Sequence, residues 1–400
     1  MKPVLLFASC AIAGTLIPCV AWAQSGSLSA AVEAAWARSV QAASAGGQLS
    51  LAAAQETASN ALWAAPPSVE VSYRSDRLQE NLGRTESEAG IAWPLLMPGQ
   101  RGARQAAAQA ERQVAEATMA AARLRIAGEV REAAWTFVAR DAESSVAARH
   151  EQSLRALSDD VERRVKAGDL ARADALAARA EFLAASAALA EAQQRLEAAR
   201  AQWKALTGME QVPDPTEAAA GSNEAQHPEL ALAAISLQGA RSKLEVVRGS
   251  RGDPPELLLR YRRETPLSGL PAENTIGVGL RIPLGTDDRN LPREKAAIAE
   301  VDVASAEELR QRRRLESEAQ AASFALRSAE RQVEAEAARA ELLRERAALI
   351  DKSYRAGESP LPELLRAAAA AAQAEAAAAS QRAALGLARA RINQINGKLP

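Results

Sequence analysis

Residues 66–74 read PPSVEVSYR, and residues 254–262 repeat the pattern as PPELLLRYR, a shift of 188 positions. Further matches follow at a shift of 189: Pro94-Leu95 returns as Pro283-Leu284, and the turn KAG at 166–168 returns as RAG at 355–357. Each copy runs in the same order, with a helix, two short strands, a very long helix, a glycine turn and a return helix. The chain is therefore an internal duplication of one structural unit that mixes short strands with long helices.

The strands are predicted from alternating side chains. In the first copy Val69, Val71 and Tyr73 point one way, and Ala89, Ile91 and Trp93 alternate with Glu88, Gly90 and Ala92. In the second copy the apolar set is Ile276, Val278, Leu280 and Ile282. Taken alone, such alternation is more typical of a half-buried soluble strand, but it also fits a transmembrane barrel strand about ten residues long. The aromatic residues Tyr73, Trp93 and Tyr261 near the strand ends favour the second interpretation.

The long helices are predicted from the absence of breakers. Residues 99–167 contain no proline and only the glycines Gly99, Gly102 and Gly128, and the second copy predicts a similar helix over 293–356. At about 1.5 Å per residue such a helix is roughly 100 Å long, which requires coiled-coil-like packing. Each ends at a glycine turn and is followed by a return helix, 172–206 or 361–395, so that two long antiparallel hairpins result.

The rest of the chain divides around these units. Residues 1–23 are typical of a secretory signal, with Ala21-Trp22-Ala23 as its cleavage site. The first repeat is predicted over 24–211, a linker that contains proline and glycine over 212–228, and the second repeat over 229–400. The opening helix, 28–64, is expected to weaken at Gly46-Gly47 and to stop at Pro66-Pro67.

Export limits the chemistry that is available. Both cysteines, Cys10 and Cys19, fall inside the signal, so the mature chain has no thiol; Cys19 follows a loose lipoprotein box, which leaves lipidation open. The net charge of −1 gives no indication of a nucleic-acid partner. The two histidines, His150 and His227, are far apart and cannot form a His/Cys metal cluster, and no catalytic fingerprint is present. We expect no enzyme activity, no cofactor and no bound metal; the run 310–314 (RQRRR) is interpreted as a charged helix face with i,i+4 pairs.

Four strands cannot close a barrel, and open sheet edges are not tolerated in lipid. If these strands cross a membrane, several copies must share one barrel, because the smallest membrane barrels need about eight strands. The narrow hairpins must also pack against neighbours, and a tube is the simplest solution.

Two motifs in this duplicated frame give the chain a family resemblance. WPLLMPGQRGAR at 93–104 and YRAGESPLPELL at 354–365 resemble the TolC family of outer-membrane efflux channels, and the resemblance covers essentially the whole mature chain. It implies a mostly α fold with a small β part: a homotrimer in which four strands per protomer form a shared twelve-stranded β-barrel, below which the coiled-coil hairpins form an α-helical tunnel. Pro94, Gly99 and Pro283 would lie at the junction between barrel and tunnel.

The resemblance also implies site residues and partners. The tip glycines Gly168 and Gly357 would face a periplasmic adaptor and a closable entrance, with Asp174 and Glu363, six positions later, in the gate. Both acids are equally explained as first-turn residues favoured at a helix N-terminus. Pro360 and Pro362 should make the second tip stiffer than the first.

The predicted function is a passive, gated outer-membrane channel of a tripartite efflux system. Its partners would be the adaptor, an inner-membrane pump of the resistance-nodulation-division type and outer-membrane lipid. The exit at 98–104 is most similar to the cobalt–zinc–cadmium resistance branch, which suggests metal cations, with small organic toxins as the other cargo. The outlet of a type I protein-secretion system is one alternative, and a periplasmic adaptor or structural coiled-coil protein is another.

Overall fold

A computed structural model describes residues 26–78, 80–218, 227–250, 252–285 and 287–400. The predicted signal segment, with Cys10 and Cys19, and part of the predicted linker lie outside these residues. The elements in chain order are α1 (Leu28–Arg38), α2 (Val40–Ser59), β1 (Ser68–Ser75), β2 (Thr85–Pro94), α3 (Gln100–Ala167), α4 (Arg172–Thr207), α5 (Pro228–Gly249), β3 (Glu256–Thr265), β4 (Glu273–Arg281), α6 (Asp287–Arg355) and α7 (Leu361–Ile395).

The first repeat opens with two helices instead of one, and the predicted weakening at Gly46-Gly47 is wrong. The break lies at Ser39, whose extended backbone and hydroxyl cap α2 by accepting from the Ala42 amide at 3.1 Å. The corresponding position in the second repeat is His227, whose ring Nδ1 accepts from the Glu229 amide at 3.2 Å. A serine side chain caps as well as the proline-flanked histidine, so the helix restarts where the repeat requires it.

The four strands form one antiparallel sheet in the order β1-β2-β3-β4. Pairing is continuous across the two repeats, because β2 of the first repeat pairs with β3 of the second from Thr85↔Thr265 to Pro94↔Glu256. The sheet therefore joins the two copies into one unit, and β1 and β4 remain as its two edges.

The two long helices have the predicted extent, with one difference at a start. α3 has 68 residues and α6 has 69, about 100 Å each at 1.5 Å per residue. α6 begins at Asp287 instead of 293 and contains Pro292 near its N-terminus. Pro292 is the sixth residue of α6, so it lies just past the first turn and removes one backbone hydrogen bond close to the helix start.

Each long helix packs antiparallel against its return helix, α3 on α4 and α6 on α7, and α3 also packs on α7 and α5. Alanine dominates the buried surface, which lets the helices approach closely. The core at mid-length is formed around the fully buried Trp203 of α4, with α1 laid across α3. The predicted fold class, mostly α with a small four-stranded part, is confirmed.

Candidate functional site

One face of the sheet is apolar and exposed. Cross-strand neighbours form rows such as Val69–Ile91–Leu259–Val278, and Val69 and Val278 are 71% and 75% exposed. The three predicted belt residues all lie on this face: Trp93 is paired with Leu257 near the helical end, and Tyr73 and Tyr261 lie toward the loops. A row of exposed β-branched and aromatic side chains is costly in water and favourable in lipid.

The opposite face of the sheet carries charge. The ion pairs are Arg74–Glu86 at 3.8 Å, Arg260–Glu88 at 3.7 Å, Arg262–Glu86 at 2.9 Å and Arg281–Glu256 at 3.1 Å. Both signs alternate, so that the face has little net charge but many hydrogen-bonding groups. This division into one apolar and one hydrated face is typical of a sheet that lies between lipid and water.

The junction between sheet and helices is built by hydrogen bonds to the first residues of α3. Pro94 accepts from the Ala64 amide at 3.0 Å, and Gly99 has φ +86°, a conformation that glycine adopts without strain. The buried Gln100 side chain accepts from the Met97 amide at 3.1 Å and donates to the Gly249 carbonyl at 2.9 Å. Pro283, at the second exit, is half-buried. Sequence reasoning missed Gln100. The only signal in the sequence was its position directly after Pro98-Gly99, a pair that is typical of a turn.

The hairpin tips close in the same way in both repeats. Gly168 and Gly357 have φ +88° and +82°, and each next residue donates back to the helix, Asp169 to Arg164 O and Glu358 to Ser353 O, both at 2.9 Å. These are Schellman closures, in which glycine takes the left-handed conformation. The repeat therefore extends to the geometry of its turns.

Asp174 and Glu363 lie in the first turns of α4 and α7, half-buried. Their amides donate to Ala171 O and Pro360 O at 3.0 and 3.1 Å. Among the described residues, neither carboxylate is in a salt bridge. Each thus has the ordinary position of an N-terminal acid and a free carboxylate that can take part in contacts outside the chain.

The two tips are held together by an apolar cluster, the tip cluster. Its buried members are Leu154, Val161, Ala178, Phe182, Ala185, Tyr354, Leu361, Leu364 and Leu365. Tyr354 is 5% exposed, its hydroxyl has no hydrogen-bond partner in the described part of the chain, and the Arg164 guanidinium lies 5.5 Å from its ring centre. Burial raises the pKa of Tyr354, Arg164 opposes the shift, and the Asp160 and Asp174 carboxylates add to it. Asp174 is thus brought close to the other hairpin.

A cleft of about 580 Å³ opens beside the tip cluster, between α3 and α6. Its polar lining comes from both hairpins: Asp160 and Arg164 pair at 2.9 Å on α3, and Asp351 and Arg355 pair at 3.0 Å on α6. Because these pairs are at least partly exposed, each contributes little to stability.

A second polar centre, which sequence reasoning missed, lies at mid-length around Arg131. This side chain is 2% exposed; its Nε and Nη2 bind both oxygens of Glu217 at 2.8 Å, and it also donates to Gln394 Oε1 at 2.5 Å and to the Lys398 carbonyl at 2.9 Å. It therefore ties α3, the segment after α4 and the C-terminus together. The only sequence signal was one arginine in an alanine-rich, apolar stretch.

The part of the chain that the structure describes shows no arrangement suited to a metal ion. No group of three His, Cys, Asp or Glu side chains there is placed to bind a metal ion. Burial lowers the pKa of His150 on α3 and of His227 at the start of α5. No described helix is both long and apolar enough to cross a membrane.

Comparison with known proteins agrees with this geometry. Residues 38–209 match the family model described as outer membrane efflux protein. No curated protein matches the chain by sequence. The CmeC outer membrane channel of Campylobacter jejuni is similar at a TM-score of 0.75 and 16% identity, over 92% of this chain and 85% of that one.

Two further structures have the same fold. The outer membrane protein VceC of Vibrio cholerae is similar at a TM-score of 0.72 and 17% identity, over 93% of this chain and 97% of that one. The open-state MtrE outer membrane channel of Neisseria gonorrhoeae gives 0.71 and 16%, over 93% and 89%. The chain therefore has the outer-membrane channel fold that its resemblance to the TolC family predicts, and its residues 38–209 match the outer membrane efflux protein family.

Proposed function

We propose that the protein is the outer-membrane channel of a tripartite efflux system and conducts solutes passively from the periplasm to the exterior. The observation that carries the proposal is the two-faced sheet. Its apolar side chains are exposed on one face while ion pairs cover the other, and its two edge strands, β1 and β4, have no partner among the described residues. Lipid would cover the first face, and water in a shared barrel would cover the second.

Three copies would supply twelve strands, and their hairpins would surround one tunnel through the periplasm. The distance supports this arrangement, since helices about 100 Å long extend far beyond a membrane. The tips, with Gly168, Asp174, Gly357 and Glu363, would then face the periplasmic adaptor and an inner-membrane pump of the resistance-nodulation-division type. Opening would rearrange one hairpin against its neighbours around the tip cluster.

A pair of arginine substitutions tests the membrane face. Val278→Arg puts a charge on the apolar face, which costs about 2–4 kcal/mol at the midplane of a bilayer. Thr275→Arg puts the same charge on the polar face of the same strand. We expect the first variant to be lost from the outer-membrane fraction and the second to remain. Equal recovery of both would contradict the membrane assignment.

Substitutions at the two tip acids test the gate. Asp174→Asn and Glu363→Gln remove one charge each, and we expect higher conductance of the purified channel in planar bilayers. Asp169→Asn is the matched control, because Asp169 is an exposed acid at the same tip. If all three variants conduct like the parent, the two acids are only helix N-terminal residues.

The stiffness of the tips can be measured separately. Pro360 precedes the first residue of α7 and Pro362 lies in its first turn, whereas Ala171 and Ala173 occupy these places at the first tip. The second tip should therefore move less. Site-specific crosslinks between tips of neighbouring copies, formed before and during transport, should be lost more readily at the first tip; equal mobility would contradict this proposal.

For the cargo we propose heavy-metal cations, on the exit motif at 98–104, with small organic toxins as the other candidate. A water-filled tube needs no specific ligands, so deletion of the gene decides. Reduced growth on zinc, cobalt or cadmium supports metal export, reduced growth on detergents supports organic cargo, and loss of a secreted protein supports a type I secretion outlet. Unchanged metal tolerance overturns the metal proposal.

A further inference from the structure

The apolar face of the sheet ends, on the side of the loops, in a row of polar side chains. Strand pairing places four exposed residues in this row, here called the rim row: Tyr73, Ser87, Arg263 and Asn274. Every row between it and the pair Trp93–Leu257 consists of apolar and aromatic side chains. The rim row therefore marks one border of the apolar band.

Arg263 is a cation on the face that is otherwise apolar. Its neighbours Arg260 and Arg262 point to the opposite face, where they pair with the carboxylates of Glu88 and Glu86 at 3.7 and 2.9 Å. Within the described ranges, no ion pair includes Arg263. An exposed guanidinium of this kind can bind an anion from outside the chain.

The height of Arg263 on the sheet corresponds to lipid headgroups. Leu257 and Arg263 are six positions apart on β3, which is about 20 Å along an extended strand. The apolar band of a membrane barrel is about 25 Å tall and is flanked by aromatic residues. Tyr73 lies in the rim row itself and Tyr261 in the row before it. Arg263 is thus placed beside the headgroups instead of in the hydrocarbon, where a charge would be costly.

The direction of the chain decides which leaflet the rim row meets. The strand ends beside this row lead into the loops 76–84 and 266–272, whereas the long helices begin at the opposite end of the sheet. The proposed function places these helices in the periplasm. The rim row then meets the outer leaflet, whose main anionic lipid is a glycolipid that carries phosphate groups.

We infer that the rim row binds a phosphate group of this outer-leaflet glycolipid. The Arg263 guanidinium offers two parallel N–H groups to phosphate oxygens, and the Ser87 hydroxyl is a further donor. The Asn274 Oδ1 accepts from the Tyr261 hydroxyl at 2.8 Å, which leaves the amide N–H groups of Asn274 as donors. Tyr73, 67% exposed, adds a ring at the level of the headgroup.

The inference rests on the proposed function, because it needs the sheet to lie in the outer membrane. It adds a specific lipid to that function. Acyl chains of any lipid would cover the apolar rows, whereas the charge of Arg263 is balanced only by an anion. All members of the rim row come from β1–β4 of one chain, so the site is complete within a single copy.

Lipid binding by the purified full-length protein tests the site. Arg263→Gln removes the charge and keeps a polar side chain, and Arg263→Lys keeps the charge. The matched control is Arg74→Gln, because Arg74 follows Tyr73 on β1 but lies on the polar face, where it pairs with Glu86 at 3.8 Å. Native mass spectrometry counts the lipid bound after incubation with diphosphoryl lipid A, with its dephosphorylated form or with phosphatidylglycerol.

We expect the parent to bind diphosphoryl lipid A about tenfold more tightly than the dephosphorylated form, because a charge-assisted hydrogen bond is made only to the first. Arg263→Gln should lose this preference, Arg263→Lys should keep most of it, and Arg74→Gln should keep all of it. Equal binding of the two forms by the parent, or an unchanged preference in Arg263→Gln, overturns the inference. Phosphatidylglycerol bound as tightly as diphosphoryl lipid A overturns the assignment to the glycolipid.

The lipid site and the efflux function fail separately. A preference for diphosphoryl lipid A that depends on Arg263, in cells whose cargo tolerance does not depend on the gene, would refute the efflux function and leave the lipid site standing. Loss of cargo tolerance on deletion of the gene, with no lipid preference in the parent, would do the reverse.

Discussion

α3 and α6 are two copies of one long helix, yet twenty residues of α3 are buried and only five of the described residues of α6. Their lengths are nearly equal, and their glycine turns are the same. The difference comes from position, because α3 lies between the two repeats and receives helices from both. α6 lies at the outer side of the second repeat. A duplicated unit thus produces one satisfied interface and one open interface in the same chain.

The buried polar groups follow the same division. Arg131 on α3 is enclosed and fully bonded, whereas its repeat equivalent on α6 is Gln320, which is exposed. Position in the folded chain, not position in the repeat, decides which helix carries a buried ion pair. Four substitutions examine this comparison, in order of expected effect.

The largest effect is expected for Arg131→Ala. It leaves the Glu217 carboxylate and the Lys398 carbonyl without their partner, and breaking a buried pair in this way costs about 3–5 kcal/mol. Thermal unfolding of the detergent-solubilised protein, followed by circular dichroism, measures it. Gln320→Ala is the control and should change stability by less than about 0.5 kcal/mol. Equal effects of the two would show that α3 and α6 do not differ as described.

The next effect is expected for Gly386→Ala. The added Cβ would lie 2.1–2.4 Å from the Trp135 ring, so that α3 and α7 must separate, at about 1–3 kcal/mol. Gly46→Ala in α2 is the matched control, because nothing lies within 4 Å of its Cβ position. There alanine should stabilise the helix by about 0.5–1 kcal/mol. The same unfolding assay should give opposite signs, and a harmless Gly386→Ala would show that Trp135 does not pack on α7.

A smaller effect, of favourable sign, is expected for Tyr354→Phe. The tyrosine hydroxyl is buried and has no partner among the residues that the structure describes, so its removal should raise stability by about 1 kcal/mol. Tyr261→Phe serves for comparison, because its exposed hydroxyl donates to Asn274 Oδ1 at 2.8 Å and its loss should be neutral or slightly unfavourable. Destabilisation by Tyr354→Phe would mean that the hydroxyl finds a partner in the assembled channel.

The smallest effect concerns the two helix caps, Ser39 and His227. Burial holds the pKa of His227 below 6.5, and the nearby charge of Arg314 lowers it further. The carboxylates of Glu229 and Glu318 act in the opposite direction. The folded state then binds fewer protons than the unfolded one, so its stability is complete above about pH 6.5 and falls as the pH drops through the folded pKa. His227→Asn keeps a helix-capping side chain at this position but removes the titratable group, so that the cap resembles Ser39 of the first repeat.

We expect the stability of His227→Asn to depend less on pH below about 6.5 than that of the parent, in urea unfolding at a series of pH values. The remaining dependence would come mainly from His150, whose pKa burial also lowers. An unchanged pH profile would show that His227 does not lose its proton on folding.

Much of the fold could be predicted from local patterns. Helix ends at Gly168 and Gly357 depend on the freedom of glycine to take positive φ, and strand faces depend on the two-residue period, so both can be recognised without neighbours. The helix break at Ser39 was missed because its only sequence signal is one serine, which can cap a helix. The glycine pair Gly46-Gly47 was a stronger signal for a break, although α2 continues through it.

Contacts between distant segments could not be predicted. Arg131 and Glu217 are 86 positions apart, and the electrostatic influence of Asp174 on Tyr354 depends on two hairpins packing tip to tip. No periodicity within either segment encodes such a meeting. For the same reason, the sequence predicted which residues form the two tips, but it did not predict which side chains of the two hairpins pack against each other there.

By itself, the sequence determined the duplication, the two long hairpins, the four strands and the side of the sheet that is apolar. These features follow from the spacing of residue types along the chain, because the regular geometry of a helix or strand fixes the direction in which each side chain points. Only the tertiary structure decided that α3 is enclosed while α6 is open, and that Arg131 and Tyr354 are buried. Burial depends on which segments meet in space, and two nearly equivalent helices can differ in it completely.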